Sequence, residues 1–288
     1  MVSSQSKKIG DMVIGLICLA VIGICIFPML NLLARSLSDP MAIINRRVSF
    51  LPVDPTLDSY RFVFQDPSFS RSLLWTAILT VICTLVSLGI TILCAFPLTY
   101  PLKGKKAINT LIIFTMYFNA GTIPNYILIK SLGLLNNPLV LILPSCLSVF
   151  NMIILRSFFY GVPESLRESA ELDGANPFTV LVRIYLPLSS AVLATLALFY
   201  AVGRWNGFSD ALLYLTKADF HPIQLKLYNI INNLSSIEVQ EGIAGGIPAA
   251  SDGMKAAAVM FATVPILVVY PWLQRYFIAG VTIGAVKG

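Results

Sequence analysis

Four charged residues, Glu164, Arg167, Glu168 and Glu171, stand at the i, i+3, i+4 and i+7 positions that share one face of a helix. They belong to a stretch, 156–183, that carries seven charges in 28 residues, in a chain of 288 residues of which only 12% are charged. Catalysis would need a nucleophile, a base or a metal cluster, and none is visible in the sequence. Pro163 suits the first turn of a helix, where its missing N–H has no intrahelical partner to lose. That helix is predicted to run to Leu172 and stop at Asp173-Gly174, where glycine accepts the left-handed cap geometry. Asn176 then caps a second helix with Pro177 at its first position. Ser165, Ser169 and Ala170 keep the profile slim. Two readings fit this pattern equally: a solvated amphipathic hairpin with a charged outer face, and a plug that fits a cleft on another subunit.

Other chemistries are excluded one by one. No Gly-x4-Gly-Lys-Ser/Thr occurs, so the chain holds no nucleotide phosphates by that motif, and no cofactor is expected in it. Cys18, Cys25, Cys83, Cys94 and Cys146 all lie in apolar runs without metal-site spacing and read as small apolar residues. His221, before Pro222, reads as an ordinary loop residue. The net charge of +6 comes without a basic patch interleaved with aromatics, which excludes nucleic acid as a partner.

The elements around the charged stretch are long and apolar. The chain is 57% hydrophobic with a mean hydropathy of +0.80. Six stretches, 12–34, 72–102, 107–129, 131–155, 184–203 and 256–274, contain no Asp, Glu, Lys, Arg or His. Each approaches or exceeds the roughly 20 helical residues that cross a bilayer core. The first is too long for the roughly 7–15-residue apolar core of a signal peptide and reads as a retained helix. The expectation is an all-α integral membrane protein of six transmembrane helices in one domain. Its spans lie near 12–34, 73–100, 107–129, 139–158, 185–203 and 256–275, with an inner loop over 159–184 and outer loops over 35–71 and 204–255. Pro28, Pro97, Pro124, Pro144 and Pro265 fall in these spans, where proline kinks a helix. With the amino terminus inside, the charge-free stretches leave ten Lys/Arg on each side, but over 57 inner and 90 outer residues. Lys7-Lys8 and the tight turn with Lys103, Lys105 and Lys106 therefore favour both termini in the cytoplasm. Apart from Arg156 and Arg275 at the ends of two of them, no span holds Asp, Glu, His, Lys or Arg, although ion-coupled transport usually leaves one there.

Residues 168–187, ESAELDGANPFTVLVRIYLP, resemble the cytoplasmic signature of binding-protein-dependent ABC importer permeases: Glu-Ala-Ala, three residues, Gly, nine residues, Ile-x-Leu-Pro. Glu168, Ala170, Gly174, Ile184, Leu186 and Pro187 take the matching places, and Ser169 stands for the usual Ala. Nearly the whole chain is similar to carbohydrate-uptake permeases related to the second membrane subunit of the maltose importer. Leu143-Pro144-Ser145, Phe150-Asn151, Arg156-Ser157-Phe158-Phe159, Trp205-Asn206-Gly207-Phe208 and the tail from Gln274 to Gly288 carry that likeness. Residues 116–124, MYFNAGTIP, are more like the branch for polysaccharide-derived oligosaccharides, including alginate-type importers.

The resemblance implies a permease fold and selects the docking reading of the hairpin. Glu168, Ser169, Ala170, Glu171, Asp173, Gly174, Ala175 and Pro177 are then the contact with an ATP-binding subunit. The implied partners are two ATP-binding subunits holding ATP and Mg²⁺, a second permease that makes a heterodimer, an outer solute-binding protein, a sugar and the bilayer of the bacterial cytoplasmic membrane. A sugar path needs polar and aromatic groups rather than charges, and Asn119, Thr122, Ser148, Asn151 and Tyr200 are the candidates; hydrogen bonding between helices is an alternative role for each. The 204–255 loop is expected to reach the binding protein through 236–252, with Glu238, Glu241, Gly245 and Gly246 in contact. An autonomous channel or secondary carrier is the competing class, and an ABC permease for a solute other than a sugar is also open.

Overall fold

The computed structural model describes residues 4–243 and 251–285. Among these residues there is no β-strand, only one isolated antiparallel bridge between Ser38 and Pro55. The chain divides into two compact units, Met1–Ser70 with Leu227–Val264, and Arg71–Lys226 with Pro265–Gly288.

In the first unit the helix Ser4–Ser36 contains Pro28 and exposes its apolar side chains along most of its length. The segment after it is more ordered than a loop of Asp-Pro and Arg residues suggests. Asp39 caps Pro40–Ile44 by accepting from the Met41 N–H at 2.8 Å. The Ser38 hydroxyl donates to the Ala34 carbonyl at 2.7 Å and accepts from the Val53 N–H at 3.0 Å. Arg35 pairs with Asp252 at 2.6 Å, tying this end of the helix to the start of Ser251–Ala285.

The second unit carries two apolar cores. One gathers Phe96, Phe159 and Tyr185 edge to face, with ring centroids 5.1 Å apart for Phe96–Tyr185 and 5.4 Å for Phe159–Tyr185, around Leu155, Val180 and Leu196. Such aromatic pairs add about 0.5–1.5 kcal/mol each beyond area burial. That directional packing counts for more in lipid, which is itself apolar and supplies no hydrophobic drive between helices. The other core is built from Leu79, Ile129, Val140, Leu141, Ala211, Leu215 and Leu225.

Among the described residues two helical segments are long and apolar enough to cross a membrane, Gly10–Ser36 and Pro67–Thr99. Several predicted spans are interrupted. The run 107–129 forms Lys105–Tyr117 and Thr122–Ser131, bent by 111° at a break where Gly121 has φ 91° and donates its N–H to the Asn119 carbonyl Oδ1 at 2.8 Å. Pro124, in the first turn of the second piece, explains why the ladder does not run through. The run 139–158 is α-helical only over Val149–Tyr160; a 3-10 turn Pro138–Leu141 and irregular backbone precede it. The run 185–203 bends by 84° between Pro177–Leu188 and Ser190–Asn206. Among the described residues of 204–255 the chain forms Ser209–Tyr214, a 3-10 turn Ala218–Phe220 and the helix Ile223–Ile243, with Ile223 and Leu225 buried.

Candidate functional site

The hairpin forms as its residue types require. Its first helix is Glu164–Leu172, with Pro163 standing one residue before it as the N-cap, not inside the first turn. Gly174 has φ 82°; its N–H bonds the Glu171 carbonyl at 3.0 Å, and the Ala175 N–H bonds the Ala170 carbonyl at 2.9 Å. These are the two bonds of a Schellman cap. Asn176 accepts from the Thr179 N–H at 2.8 Å, and Pro177 opens the second helix.

The charged face is organised differently from the even stripe that the spacing suggests. Arg167 turns inward, its side chain 13% exposed, and lies over the Tyr100 ring at 5.0 Å. It pairs with Glu164 and, at 3.7 Å, with Glu171. Burial pulls the Arg167 guanidinium down, but Glu164, Tyr185 and Glu171 outweigh it and the net shift is upward. Ala170 and Ala175 pack against the protein's own Phe96–Phe159–Tyr185 core, which is why they are small. Glu168, Ser169, Glu171, Asp173, Gly174 and Pro177 remain exposed, joined by Leu172 at 90% and Phe178 at 69% exposure. The spacing argument passed over those two apolar side chains.

Within the same unit lies a cavity of about 870 Å³ lined by residues of five segments, the first being the helix Pro67–Ala95 with Cys83 and Ser87. Ser145 and Ser148 come from the irregular backbone; Asn151 and Phe150 from Val149–Tyr160; Phe199, Tyr200 and Arg204 from Ser190–Asn206; Phe208, Ser209 and Asp210 from the segment that follows. Three of the five candidate path residues, Ser148, Asn151 and Tyr200, thus meet in one cavity, whereas Asn119 and Thr122 lie exposed at the 111° break and do not line it. The Thr91 hydroxyl donates to the Ser87 carbonyl at 2.7 Å, so the Tyr200 hydroxyl, 2.6 Å from Thr91 Oγ1, is the donor of that pair. The same phenol oxygen accepts from the Ser148 N–H at 3.1 Å.

Sequence reasoning missed Arg204 and Asp210. Arg204 is 7% exposed in the last turn of Ser190–Asn206. Its Nη1 donates to Asp210 at 2.5 Å and to the Leu141 carbonyl at 3.2 Å, and its Nη2 donates to Asp210 at 3.1 Å and to the Gly207 carbonyl at 3.0 Å. A Cβ on Gly207 would stand 2.8 Å from Nη2, so the cradle needs glycine for space. Leaving one charge of a buried pair alone costs roughly 3–5 kcal/mol, toward the lower end here because Asp210 is 30% exposed. The Leu141 carbonyl also receives the Ser145 hydroxyl at 3.1 Å and the Cys83 thiol at 3.7 Å. The lining therefore presents hydroxyls, amides and aromatic faces, with its one cation and one anion paired to each other. Among the described residues no group of three or more His, Cys, Asp or Glu is placed to hold a metal ion.

Glu238 and Glu241 fall on Ile223–Ile243, while Gly245 and Gly246 lie outside the described residues.

Residues 72–283 match the family described as the inner membrane component of binding-protein-dependent transport systems. The chain belongs to that family. This permease is 38% identical over 286 residues to the polygalacturonan/rhamnogalacturonan transport system permease protein YtcP of Bacillus subtilis (strain 168), covering 99% of this chain and 100% of that one. It is 42% identical over 268 residues to protein LplC of the same organism, covering 92% and 90%. Its fold overlays, with a TM-score of 0.87 and 30% identity, on a chain of the crystal structure of a bacterial ABC transporter involved in the import of the acidic polysaccharide alginate, covering 96% of this chain and 99% of that one.

The hairpin geometry yields a test. A Cβ at Gly174 would meet no atom within 4 Å, so the demand there is conformational and not one of space. Left-handed backbone costs an L-residue roughly 1–2 kcal/mol, and Asn tolerates it best. Gly174→Val should abolish uptake and substrate-stimulated ATP hydrolysis in the assembled importer while membrane insertion persists, and Gly174→Asn should retain most of both. Normal stimulation in Gly174→Val would remove the basis for a role of this hairpin in coupling.

Proposed function

We propose that this permease forms half of a translocation path for an oligosaccharide across the bacterial cytoplasmic membrane. In this reading one domain, 1–288, threads the bilayer six times, near 12–34, 73–100, 107–129, 139–158, 185–203 and 256–275, with both termini in the cytoplasm. The breaks at 118–121, 142–148 and 189 are then interruptions within spans. Two partner ATPase subunits bind ATP and Mg²⁺ and receive the exposed face of the hairpin, through Glu168, Ser169, Leu172, Asp173 and Phe178. A second, sister permease supplies the other half of the path, and an outer solute-binding protein delivers the sugar.

The observation that supports this most is the cavity and its irregular wall. Non-helical backbone within a charge-free run is tolerated at membrane depth only where it is buried in protein or lines a water-filled space. Segment 142–148 sits inside the charge-free run 131–155 and contributes Ser145 and Ser148 to the cavity. Hydroxyls and amides suit the hydroxyl groups of a sugar, and the faces of Phe150, Phe199 and Phe208 suit its rings. The similarity to proteins that serve the transport of polygalacturonan, rhamnogalacturonan and alginate supports a polysaccharide-derived oligosaccharide.

Cysteine placed singly at Ser145, Ser148 or Asn151 tests the path. In the assembled importer each should react with a small aqueous thiol reagent in at least one stage of the ATP cycle and be shielded by substrate. Uniform protection at all three positions in every stage would count against the path.

The outer contact is testable separately. Asp252 is engaged by Arg35, so a deletion is best confined to residues 238–250. It should leave ATP hydrolysis possible but weaken its stimulation by the loaded binding protein. Stimulation and uptake that both survive unchanged would reduce this segment to a tether.

A further inference from the structure

We propose that Tyr200 and Arg204 act together as a two-point grip by which the helix Ser190–Asn206 holds and moves the irregular wall of the cavity. The two residues are positioning residues: they act on backbone and not on the sugar. This inference rests on the permease reading above.

The grip follows from where the hydrogen bonds end. Tyr200 and Arg204 are four residues apart, one turn along one face of one helix. Tyr200 accepts from the N–H of Ser148, at the far end of segment 142–148, and Arg204 donates to the carbonyl of Leu141, at its near end. The segment is therefore pinned at both ends by one helix. Arg204 has no Nη hydrogen to offer a sugar, because all four go to Asp210, Leu141 and Gly207. Asp210 neutralises it and orients its plane through both carboxylate oxygens. The Arg204 contact is not replaceable by water without opening the wall, since the Arg204 side chain is 6% exposed.

The helix bearing the grip is also the continuation, across the 84° bend at Ser189, of the piece Pro177–Leu188 that leaves the exposed hairpin. Displacement of the hairpin therefore has a short covalent route to residues 200 and 204, and from there two hydrogen-bonded routes into the wall. Packed elements of this kind pass motion between discrete arrangements instead of deforming continuously.

Cys146 lies within the gripped segment and reports on it directly. With Cys18, Cys25 and Cys94 changed to Ala, and Cys83 to Ser so that the Leu141 carbonyl keeps a donor there, the rate of Cys146 modification by a methanethiosulfonate reagent is measured in the assembled importer without nucleotide and again with ATP and orthovanadate. The unaltered grip should give rates differing about tenfold or more between the two states, the factor that about 1.4 kcal/mol of difference in opening produces. The near-isosteric changes Tyr200→Phe and Asp210→Asn should each reduce that ratio, and the double change should bring it near one. A merely structural role would alter both rates together and leave their ratio intact, and that result would overturn the grip. If the double variant fails to assemble, the two single variants decide, and full ratios in both would overturn it equally. A ratio of one with the grip unaltered would overturn it as well, whereas an assembled complex with no ATP-driven uptake would contradict the permease reading on which the grip stands, so the two failures are distinguishable.

Discussion

A backbone carbonyl that leaves a helix inside a membrane must find its donor within the protein, because hydrocarbon supplies none. In this permease that constraint is met most visibly at Leu141. The 3-10 turn Pro138–Leu141 ends there, and the Leu141 carbonyl takes side-chain donors from Cys83, Ser145 and Arg204. Arg204 must be buried to do this, and a buried guanidinium needs a carboxylate, which Asp210 provides. The fork of Arg204 needs room beside it, which Gly207 provides. In the proposed six-span topology, the cavity, its internally neutral lining and the route of the chain after Asn206 all descend from the requirement that this interrupted run be satisfied from within.

The same requirement links wall and hairpin. A continuous helix over 139–158 would need no such donors and would leave no hydroxyl-lined space at Ser145 and Ser148. Interrupting it creates a surface of serines and an asparagine, which the proposed topology puts at a depth where polar groups are otherwise rare. The hairpin 164–177, by contrast, is stabilised locally: the Schellman cap at Gly174 and the Asn176 cap fix its turn, while Arg167, Ala170 and Ala175 seat it on the aromatic core. A rigid hairpin on a packed core is suited to transmit force.

Much of the hairpin was legible in the sequence because its signals are chemical and local. Glycine at 174 and asparagine at 176 each permit a backbone geometry that most residues resist, and both geometries are observed. The inward turn of Arg167 and the packing of Ala170 were not legible, since helical spacing says which residues share a face but not which face meets the core. Hydropathy located the apolar runs but not their breaks. Ser189 lies in a run with no charge, and Pro187, two residues earlier, signals a break there without fixing the place or the size of the 84° bend. Arg204 was misread for the opposite reason. A charge ends an apolar run, so the helix was stopped at residue 203, whereas the charge is buried and the helix continues to Asn206 before Gly207. The pairing of Arg204 with Asp210, six residues later, is a tertiary fact that depends on the turn at Gly207. Residue type alone selects Ser148 and Asn151, which line the cavity, and equally Asn119, which does not line it and whose side chain accepts from the Gly121 N–H.

The central claim is that the interrupted span forms the wall of a sugar path. A high-resolution structure of the assembled importer, trapped with its oligosaccharide between the two permeases, tests it most directly. The account predicts sugar density against the Ser145–Ser148–Asn151 wall, hydroxyls within hydrogen-bonding distance of those side chains, and Arg204 still bound to Asp210. Density confined to the partner permease, with this cavity filled by packed side chains or lipid, would contradict it.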